Sequence, residues 1–114
     1  MTKIAVVFPG QGSQSIGMMA GWDDHPAVRA TFDEASEALG DDLWTLVTDG
    51  PAEALNLTTN TQPVMLAAGV AAWRAWQAAG GAMPDVVAGH SLGEYAALVA
   101  AGSLAFRDAV PLVR

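Results

Sequence analysis

The sequence contains no cysteine, so it offers neither a disulfide as a sign of secretion nor a thiolate for a metal site. Histidine occurs only twice, and no grouping of His, Asp and Glu has metal-ligand spacing, which predicts a chain without a metal. No apolar run of about eighteen residues is present, which excludes a transmembrane helix. The apolar start ends too soon, at Pro9-Gly10, for a secretory signal peptide. We therefore expect a cytoplasmic protein that does not associate with membranes.

Cationic side chains are also scarce. They are Lys3, Arg29, Arg74, Arg107 and Arg114, against 12 acidic residues, and the net charge is −7. Nucleic-acid binding requires a basic surface, so this balance excludes it. If an anionic substrate binds, most of its cationic contacts must come from elsewhere.

The hydrophobic content of 52% over 114 residues is enough for a domain core. Two apolar runs are typical of strands: Lys3 to Phe8, expected to be buried on both faces, and Asp85 to Gly89. Helical patterns occupy the rest: one opening at Asp24-His25-Pro26 and ending at Gly40, one capped by Asp41 or Asp42, then Val64 to Ala79, Glu94 to Ala101, and Phe106 to Arg114. Polar loops are expected at 9–14 and 59–63, with Thr61 as a cap, and Asp23-Asp24 are expected to cap a helix end.

Parallel apolar strands belong to larger sheets that helices cover on both faces. A two-stranded parallel sheet would leave its outer edges unpaired. The chain also stops within a predicted helix. We therefore expect residues 1–114 to be part of a larger α/β domain whose sheet is incomplete in this chain.

The segment from Val86 to Glu94 has the order strand, sharp turn, helix, with Gly89-His90-Ser91-Leu92-Gly93 as the turn. This is the order of a nucleophile elbow, in which the turn exposes a serine at the end of a strand. Glycines two residues before and after Ser91 remove Cβ atoms that would clash in such a bend. The pattern predicts Ser91 as a nucleophile, and leaves open an ordinary turn in which Ser91 caps the next helix.

Two backbone N–H groups are candidate donors to an oxyanion. Ser91 precedes a helix N-terminus, which favours negative charge, and the N–H of Leu92 can point at the oxygen of a tetrahedral intermediate. The loop Pro9 to Gln14 follows the first strand, and functional loops lie at the carboxyl ends of parallel strands. The N–H of Gln11 can therefore supply a second donor, although spacing alone favours a flexible glycine-rich turn.

Four motifs, taken in order, resemble those of malonyl-CoA:acyl-carrier-protein transacylases. They are Phe8-Pro9-Gly10-Gln11-Gly12-Ser13-Gln14, Gly50-Pro51-Ala52-Glu53, Thr61-Gln62-Pro63 and Gly89-His90-Ser91-Leu92-Gly93-Glu94-Tyr95. The resemblance covers essentially the whole chain and corresponds to about the first third of a family member. It implies the N-terminal part of an α/β-hydrolase-like core, a partial acyltransferase domain at residues 1–114 that lacks the family's small inserted subdomain.

The resemblance also implies roles for five residues. Ser91 would take a malonyl group from malonyl-CoA and pass it to the phosphopantetheine thiol of acyl carrier protein, for fatty-acid synthesis and without a cofactor. Gln11 and Leu92 would form the oxyanion hole through their backbone N–H groups. His90 would form part of the pocket wall, and Gln62 would line the same site or belong to a helix start.

The resemblance also identifies what is missing. The family's catalytic histidine lies well past its nucleophile, and its carboxylate-binding arginine lies in an Arg-Gly motif that Arg114 does not match. His90 is a poor base for Ser91, because side chains of adjacent residues on an extended strand point to opposite faces. His25 is expected at the surface. We therefore expect this chain alone to be inactive or barely active.

Three alternative functions stay open. The first is an acyltransferase domain of a polyketide synthase. The motif loop starts shortly after Met1, which favours a free-standing enzyme over this alternative. The second is a serine hydrolase of related fold, against which the loops at 9–14 and 61–63 tell. The third is a non-catalytic fragment that associates with a partner chain, such as a separate carboxyl-terminal portion. The residues do not distinguish malonyl from methylmalonyl selectivity.

Overall fold

Two short strands and six α-helices follow one another in a computed structural model that describes residues 3–22 and 25–114. The predicted caps Asp23 and Asp24 lie outside the described residues. The elements are β1 (Ala5–Phe8), a 3-10 turn (Ala20–Trp22), α1 (Pro26–Leu39), α2 (Leu43–Asp49), α3 (Ala52–Leu55), α4 (Thr58–Ala78), β2 (Val86–Gly89), α5 (Gly93–Ala100) and α6 (Phe106–Leu112). The fold class is α/β, as the sequence predicts.

The two strands pair in parallel in a register that joins Ala5 to Val86 and Phe8 to Gly89. A parallel pair requires a long crossover connection, and the helices α1 to α4 supply it. Because the strands run in the same direction, the segments that follow Phe8 and Gly89 leave the sheet at the same edge. This edge holds both of the loops that the sequence singles out.

One face of the sheet is covered and the other is exposed. Phe8 is buried beneath α4 and α5, and Val6 and Val87 pack against the same core. On the opposite face Val7 is 72% exposed and Val86 is 58% exposed. Within the described residues, no helix covers the face that carries Val7 and Val86. The prediction that the first strand is buried on both faces is therefore wrong for this part of the protein.

The long helix α4 organises the core. Its Leu66 and Val70 are fully buried, together with Phe32 of α1. Gly69 lets the helix approach the sheet closely, since a Cβ atom there would lie 3.2 Å from Cδ1 of Phe8 and 3.3 Å from Cβ of Ala96 in α5. In the described part of the chain, no helix combines the length and the apolar character that crossing a membrane requires.

The start of α4 differs from the prediction. Residues 59–63 were expected to form a polar loop, but α4 begins at Thr58 and contains them. Thr61 is not the cap: it lies within the helix, and its hydroxyl donates to the carbonyls of Leu55 and Leu57. Pro63 costs one backbone hydrogen bond inside the helix. The buried residues that follow outweigh this loss, because tertiary packing overrides local propensity.

Several helix ends lie at residues that the sequence indicates. Gly40 ends α1 in the left-handed region at φ 80°. Asp42 caps α2, where its carboxylate accepts bonds from the Thr45 N–H at 3.0 Å and from the Thr45 hydroxyl at 2.7 Å. These two bonds, the backbone one first, hold the pKa of Asp42 below its ordinary value. Gly102 ends the turn after α5, and α6 stops at Leu112 instead of reaching the predicted Arg114.

Ion pairs connect α1 to its neighbours. The Arg74 guanidinium of α4 bonds Glu34 at 2.6 Å and lies 4.9 Å from the ring centroid of Phe106 in α6. Arg114, which follows α6, pairs with Asp41, which follows α1, at 2.6 Å. The contacts of Arg74 thus join the helices α1, α4 and α6.

Candidate active site

Ser91 lies exposed in the turn between β2 and α5, with φ 55°. In the described ranges it is the single residue other than glycine with a positive φ. A serine in this region is strained, and such strain is concentrated at functional sites. The observed order of strand, strained serine and helix is the one that the sequence predicts for a nucleophile elbow.

The turn closes because two glycines lack side chains. A Cβ atom on Gly89 would overlap the carbonyl of Gly93, and a Cβ atom on Gly93 would overlap the carbonyl of Phe8. These obstacles are backbone atoms, which cannot rotate away as a side chain can. Both glycines are therefore required by the bend around Ser91, as the sequence predicts.

The loop from Pro9 to Gln14 lies directly against this turn. The His90 N–H donates to the Phe8 carbonyl at 3.1 Å, which continues the strand pairing by one residue. A Cβ atom on Gly10 would lie 2.6 Å from the His90 carbonyl oxygen, and one on Gly93 would lie 2.8 Å from the Pro9 carbonyl oxygen. The structure thus joins the loop and the turn through their backbones at the carboxyl edge of the sheet.

The N–H of Leu92 is an unused donor beside Ser91. The next three N–H groups close turns of their own, from Gly93 to His90 O at 2.9 Å, from Glu94 to Ser91 O at 3.0 Å and from Tyr95 to Leu92 O at 3.0 Å. Between residues 3 and 114, leaving aside 23 and 24, the Leu92 N–H meets no acceptor. Its side chain is buried, which anchors this donor at the first turn of α5.

The N–H of Gln11 likewise has no acceptor within the described chain. Hydrogen bonds hold the loop on both sides of it. The Gln11 side chain donates to Thr58 Oγ1 at 3.3 Å, the Gly12 N–H donates to Gln14 Oε1 at 2.8 Å, and Gln14 Nε2 donates to Asn56 Oδ1 at 3.1 Å. The sequence did not predict the contacts of Asn56 and Thr58, because pairing across more than forty residues leaves no periodic signal.

His90 is exposed and lines a groove of about 510 Å³ on the uncovered face of the sheet. The other walls of this groove are Val7, Phe8, Pro9, Ala88 and Gly89. Ser91, Leu92 and Gln11 do not line this groove, so the place of His90 in the wall of the substrate pocket stays a prediction. His25, also exposed, lies beside the Trp22 ring at the start of α1.

Gln62 lies half-buried in the second turn of α4. It lines neither the groove beside His90 nor a second groove of about 550 Å³ that runs along β1 towards Trp73 and Trp76. Because α4 begins at Thr58, four residues before Gln62, the alternative place of Gln62 in a helix start is not confirmed, and a contact between Gln62 and the Ser91 site stays a prediction.

No group of three His, Asp or Glu side chains that could hold a metal occurs in the part of the chain that the structure describes. This end of the sheet carries the exposed hydroxyl of Ser91 and two backbone N–H groups, those of Leu92 and Gln11, that have no acceptor among the described residues. Such an arrangement can form an ester with an acyl group and stabilise the negative charge that develops on its carbonyl oxygen.

The model of the acyl transferase domain family matches residues 5–114. The malonyl CoA-acyl carrier protein transacylase of Salmonella typhimurium is 61% identical over 114 residues, which are 99% of this chain and 37% of that protein. The structure of an acyl-carrier-protein S-malonyltransferase from Burkholderia pseudomallei superposes with a TM-score of 0.97 at 68% identity, and the match covers 98% of this chain and 36% of that one.

A third comparison is with PlMCAT:AntF, described as a type II PKS acyl-carrier protein in complex with its malonyl-transacylase. The match has a TM-score of 0.95 at 57% identity and covers 98% of this chain and 37% of that one. The chain thus spans little more than a third of the length of the relatives that it matches.

Proposed function

The chain belongs to the acyl transferase domain family, and on that premise we propose that Ser91 is the nucleophile of an acyl-transfer site. The observation that carries this proposal is the strained, exposed Ser91 beside the unused N–H of Leu92. Gln11 supplies the second oxyanion donor, and His90 and Gln62 complete the pocket wall. The whole protein moves a malonyl group from malonyl-CoA to acyl carrier protein for fatty-acid synthesis.

The reaction proceeds in two displacements through an acyl-serine. The Ser91 Oγ attacks the thioester carbonyl of malonyl-CoA, the C–O bond forms, and the C–S bond breaks to release the coenzyme A thiol. The oxyanion of the tetrahedral intermediate accepts bonds from the Leu92 and Gln11 N–H groups. The phosphopantetheine thiol of acyl carrier protein then attacks the ester carbonyl and forms the new C–S bond. The C–O bond to Ser91 breaks, and the Ser91 oxygen takes up the proton that the thiol loses. The kinetics are ping-pong.

The serine proton needs a base, and neither histidine of this chain is assigned that role. His25 is the residue before α1, beside Trp22, and His90 lines the groove on the uncovered face of the sheet. A serine without a base is a weak nucleophile at neutral pH. We therefore propose that the base and the carboxylate-binding arginine belong to the part of the protein that corresponds to the remaining length of the relatives.

The same reasoning extends to the fold. We propose that residues 1–114 are a partial acyltransferase domain with an α/β-hydrolase-like core. Support comes from the parallel strands, the turn at Ser91 and the exposed sheet face with Val7 and Val86. A cytoplasmic location and a reaction without a cofactor remain predictions from the sequence.

A second candidate carrier is favoured by one comparison. PlMCAT:AntF pairs a malonyl-transacylase with a type II PKS acyl-carrier protein, and this chain is 57% identical to the matched structure. The transfer chemistry at Ser91 is the same for either carrier. The alternative is therefore a polyketide carrier as the acceptor, with no change in the nucleophile.

Malonylation of the serine tests the proposal directly. The protein, in the full length that its gene encodes, is incubated with malonyl-CoA, and the adduct is located by intact mass and peptide mapping. We expect a malonyl group on Ser91 in the wild type and none in Ser91→Ala. Ser103→Ala is the matched control, because Ser103 is also exposed and follows a glycine, and it should be labelled as the wild type is.

Addition of carrier protein separates the alternatives. Transfer of the label to the phosphopantetheine thiol of a fatty-acid or polyketide carrier identifies a transacylase and its acceptor. Release of free malonate without transfer identifies a hydrolase. A folded full-length protein that never acquires the label would overturn the assignment of Ser91.

A further inference from the structure

We propose that Gln14 and Asn56 are positioning residues for the oxyanion site: the Gln14 side chain, held by Asn56, keeps the backbone N–H of Gln11 in place beside Ser91. This inference rests on the proposed function, because it assigns these two side chains a task in the acyl-transfer step. It concerns side chains that the sequence motifs did not connect with each other.

The Gln14 amide is bonded at both ends. Its Oε1 accepts the Gly12 N–H at 2.8 Å, and its Nε2 donates to Asn56 Oδ1 at 3.1 Å. Gly12 has φ 109°, a conformation open to glycine and strained for other residues. Since glycine imposes little preference of its own, the side-chain bond from Gln14 is what selects the orientation of this peptide group.

The backbone of Gln11 therefore lies between two residues, Gly10 and Gly12, that are each held by a contact. On one side Gly10 packs against the His90 carbonyl, at the distance that leaves no room for a side chain. On the other side the Gly12 N–H is held by Gln14. The peptide group with the Gln11 N–H is enclosed by these two contacts, and only the second can be removed without disturbing the turn at Ser91.

The anchor on the far side is itself rigid. Asn56 ends α3, and its N–H donates to the Ala52 carbonyl at 2.9 Å. The neighbouring Leu55 is buried, and its carbonyl accepts a bond from the buried hydroxyl of Thr61 in α4. The position of Gln14 in the loop is thus fixed relative to α4 by way of Asn56. The hydrogen bond from the Gln11 side chain to Thr58 connects the loop to α4 a second time.

The consequence is expected in the rate of reaction and not in the stability of the fold. The bonds of Gln14 and Asn56 are exposed to solvent, and exposed hydrogen bonds add little to folding. An oxyanion donor acts in the transition state, where its loss costs about 100-fold to 1,000-fold and a displacement of about 1 Å costs up to about 100-fold. For a loosened loop we expect about a tenfold loss.

The test compares variants at Asn56 in the protein at its full encoded length, with malonyl-CoA as the substrate. Asn56→Leu removes the acceptor and keeps the size, whereas Asn56→Asp keeps an oxygen for Gln14 Nε2. We expect Asn56→Leu to lower the single-turnover rate of Ser91 malonylation about tenfold, with KM within about twofold of wild type. Asn56→Asp should retain a rate within about twofold of wild type.

Gln14→Leu gives a second measurement that does not touch α3. It removes both bonds of the amide, so its rate should fall at least as far as that of Asn56→Leu. Gln77→Leu is the matched control, because Gln77 is exposed on α4 and far along that helix from the loop. It should leave both the rate and the melting temperature unchanged.

Four results would overturn the inference. Wild-type malonylation rates in both Asn56→Leu and Gln14→Leu would do so while the labelling of Ser91 upholds the proposed function. An equal loss in Asn56→Asp and Asn56→Leu, or a change confined to KM, would show that Asn56 does not act through its acceptor oxygen on the transition state. A wild-type protein that is never labelled would overturn the proposed function and this inference together.

Discussion

Gly89 and Gly93 lie so close that a Cβ atom on Gly89 would overlap the Gly93 carbonyl. The two residues enclose Ser91, and their contact closes the bend that exposes the serine. Gly93 also lies against the Phe8 carbonyl, so that the same residue completes the turn and seats it on β1. The bend and the docking of α5 on the sheet therefore depend on one position.

Substitution of Gly93 by alanine should destabilise the protein strongly. The added methyl group would overlap the Phe8 carbonyl and lie 2.8 Å from the Pro9 carbonyl oxygen. We therefore expect Gly93→Ala to lower the free energy of unfolding by at least about 3 kcal/mol. Gly21→Ala is the control, because no atom of residues 3–22 and 25–114 outside its chain neighbours lies within 4 Å of its Cβ position, and its φ is not positive. It should raise stability by about 0.5 kcal/mol. Urea unfolding measures both, and equal effects would contradict the close contact.

Ser91→Gly should separate stability from function. Glycine adopts φ 55° without strain, so we expect unfolding to require about 0.5–1 kcal/mol more than in the wild type. Ser91→Ala keeps the strain and should gain nothing. Both variants lack the hydroxyl and should fail to form a malonyl adduct. Calorimetric melting of the three proteins checks the order, and a Ser91→Gly protein that melts no higher than Ser91→Ala would show that the turn is unstrained.

The cap of α2 should make stability depend on pH in the acid range. The pKa of Asp42 is lowered in the folded state, first by the Thr45 N–H and then by the Thr45 hydroxyl. The stabilisation is therefore fully present above the ordinary carboxyl pKa of about 4 and is lost as the pH falls through the lower folded-state value. In Asp42→Asn the cap cannot titrate. The stability difference between wild type and Asp42→Asn should shrink on acidification from about pH 6 to about pH 2, as followed by urea unfolding. A difference that stays constant would contradict this.

Arg74 should matter more than the other arginine pairs at the surface. Its contacts with Glu34 and Phe106 are about a third exposed, so we discount them to about 1 kcal/mol for Arg74→Ala. Arg74→Lys keeps the charge and loses the planar group over Phe106, and it should cost about half as much. Arg107→Ala breaks an open 3.6 Å pair with Glu37 and should change stability by less than about 0.5 kcal/mol. Thermal unfolding of the three variants would rank them, and a reversed order would contradict the assignment.

Local signals predicted the local structure well. Gly40, Asp42 and the glycines around Ser91 act on atoms a few residues away. Their effects can therefore be predicted from the local sequence. The start of α4 could not be read in this way, because Pro63 and the polar residues before it favour a loop. Buried contacts made by the following residues extend the helix back to Thr58.

The sequence predicts those site residues that lie within a recognisable motif. It does not predict contacts between segments that are far apart in the chain. The sequence indicates Ser91 and Leu92 through the motif at 89–95, and Gln11 through the motif at 8–14. The pairing of Gln14 with Asn56 depends on how α3 is placed against the loop, and no spacing in the sequence encodes that distance. The exposed face of Val7 was missed for the converse reason: an apolar run indicates that a strand can be buried, but not which of its faces is covered.

The parallel register also has a consequence for how the protein is made. The Ile4 N–H donates to the carboxylate of Asp85, which lies 81 residues later in the chain. The loop from Pro9 to Gln14 and the turn at Ser91 are separated by a similar length of chain. At roughly 5–20 residues per second, the ribosome synthesises this loop several seconds before it synthesises the turn that holds Ser91. During that interval β1 lacks β2, the strand with which it pairs, so this pairing and the site at its end cannot form until residues 86–93 have been synthesised.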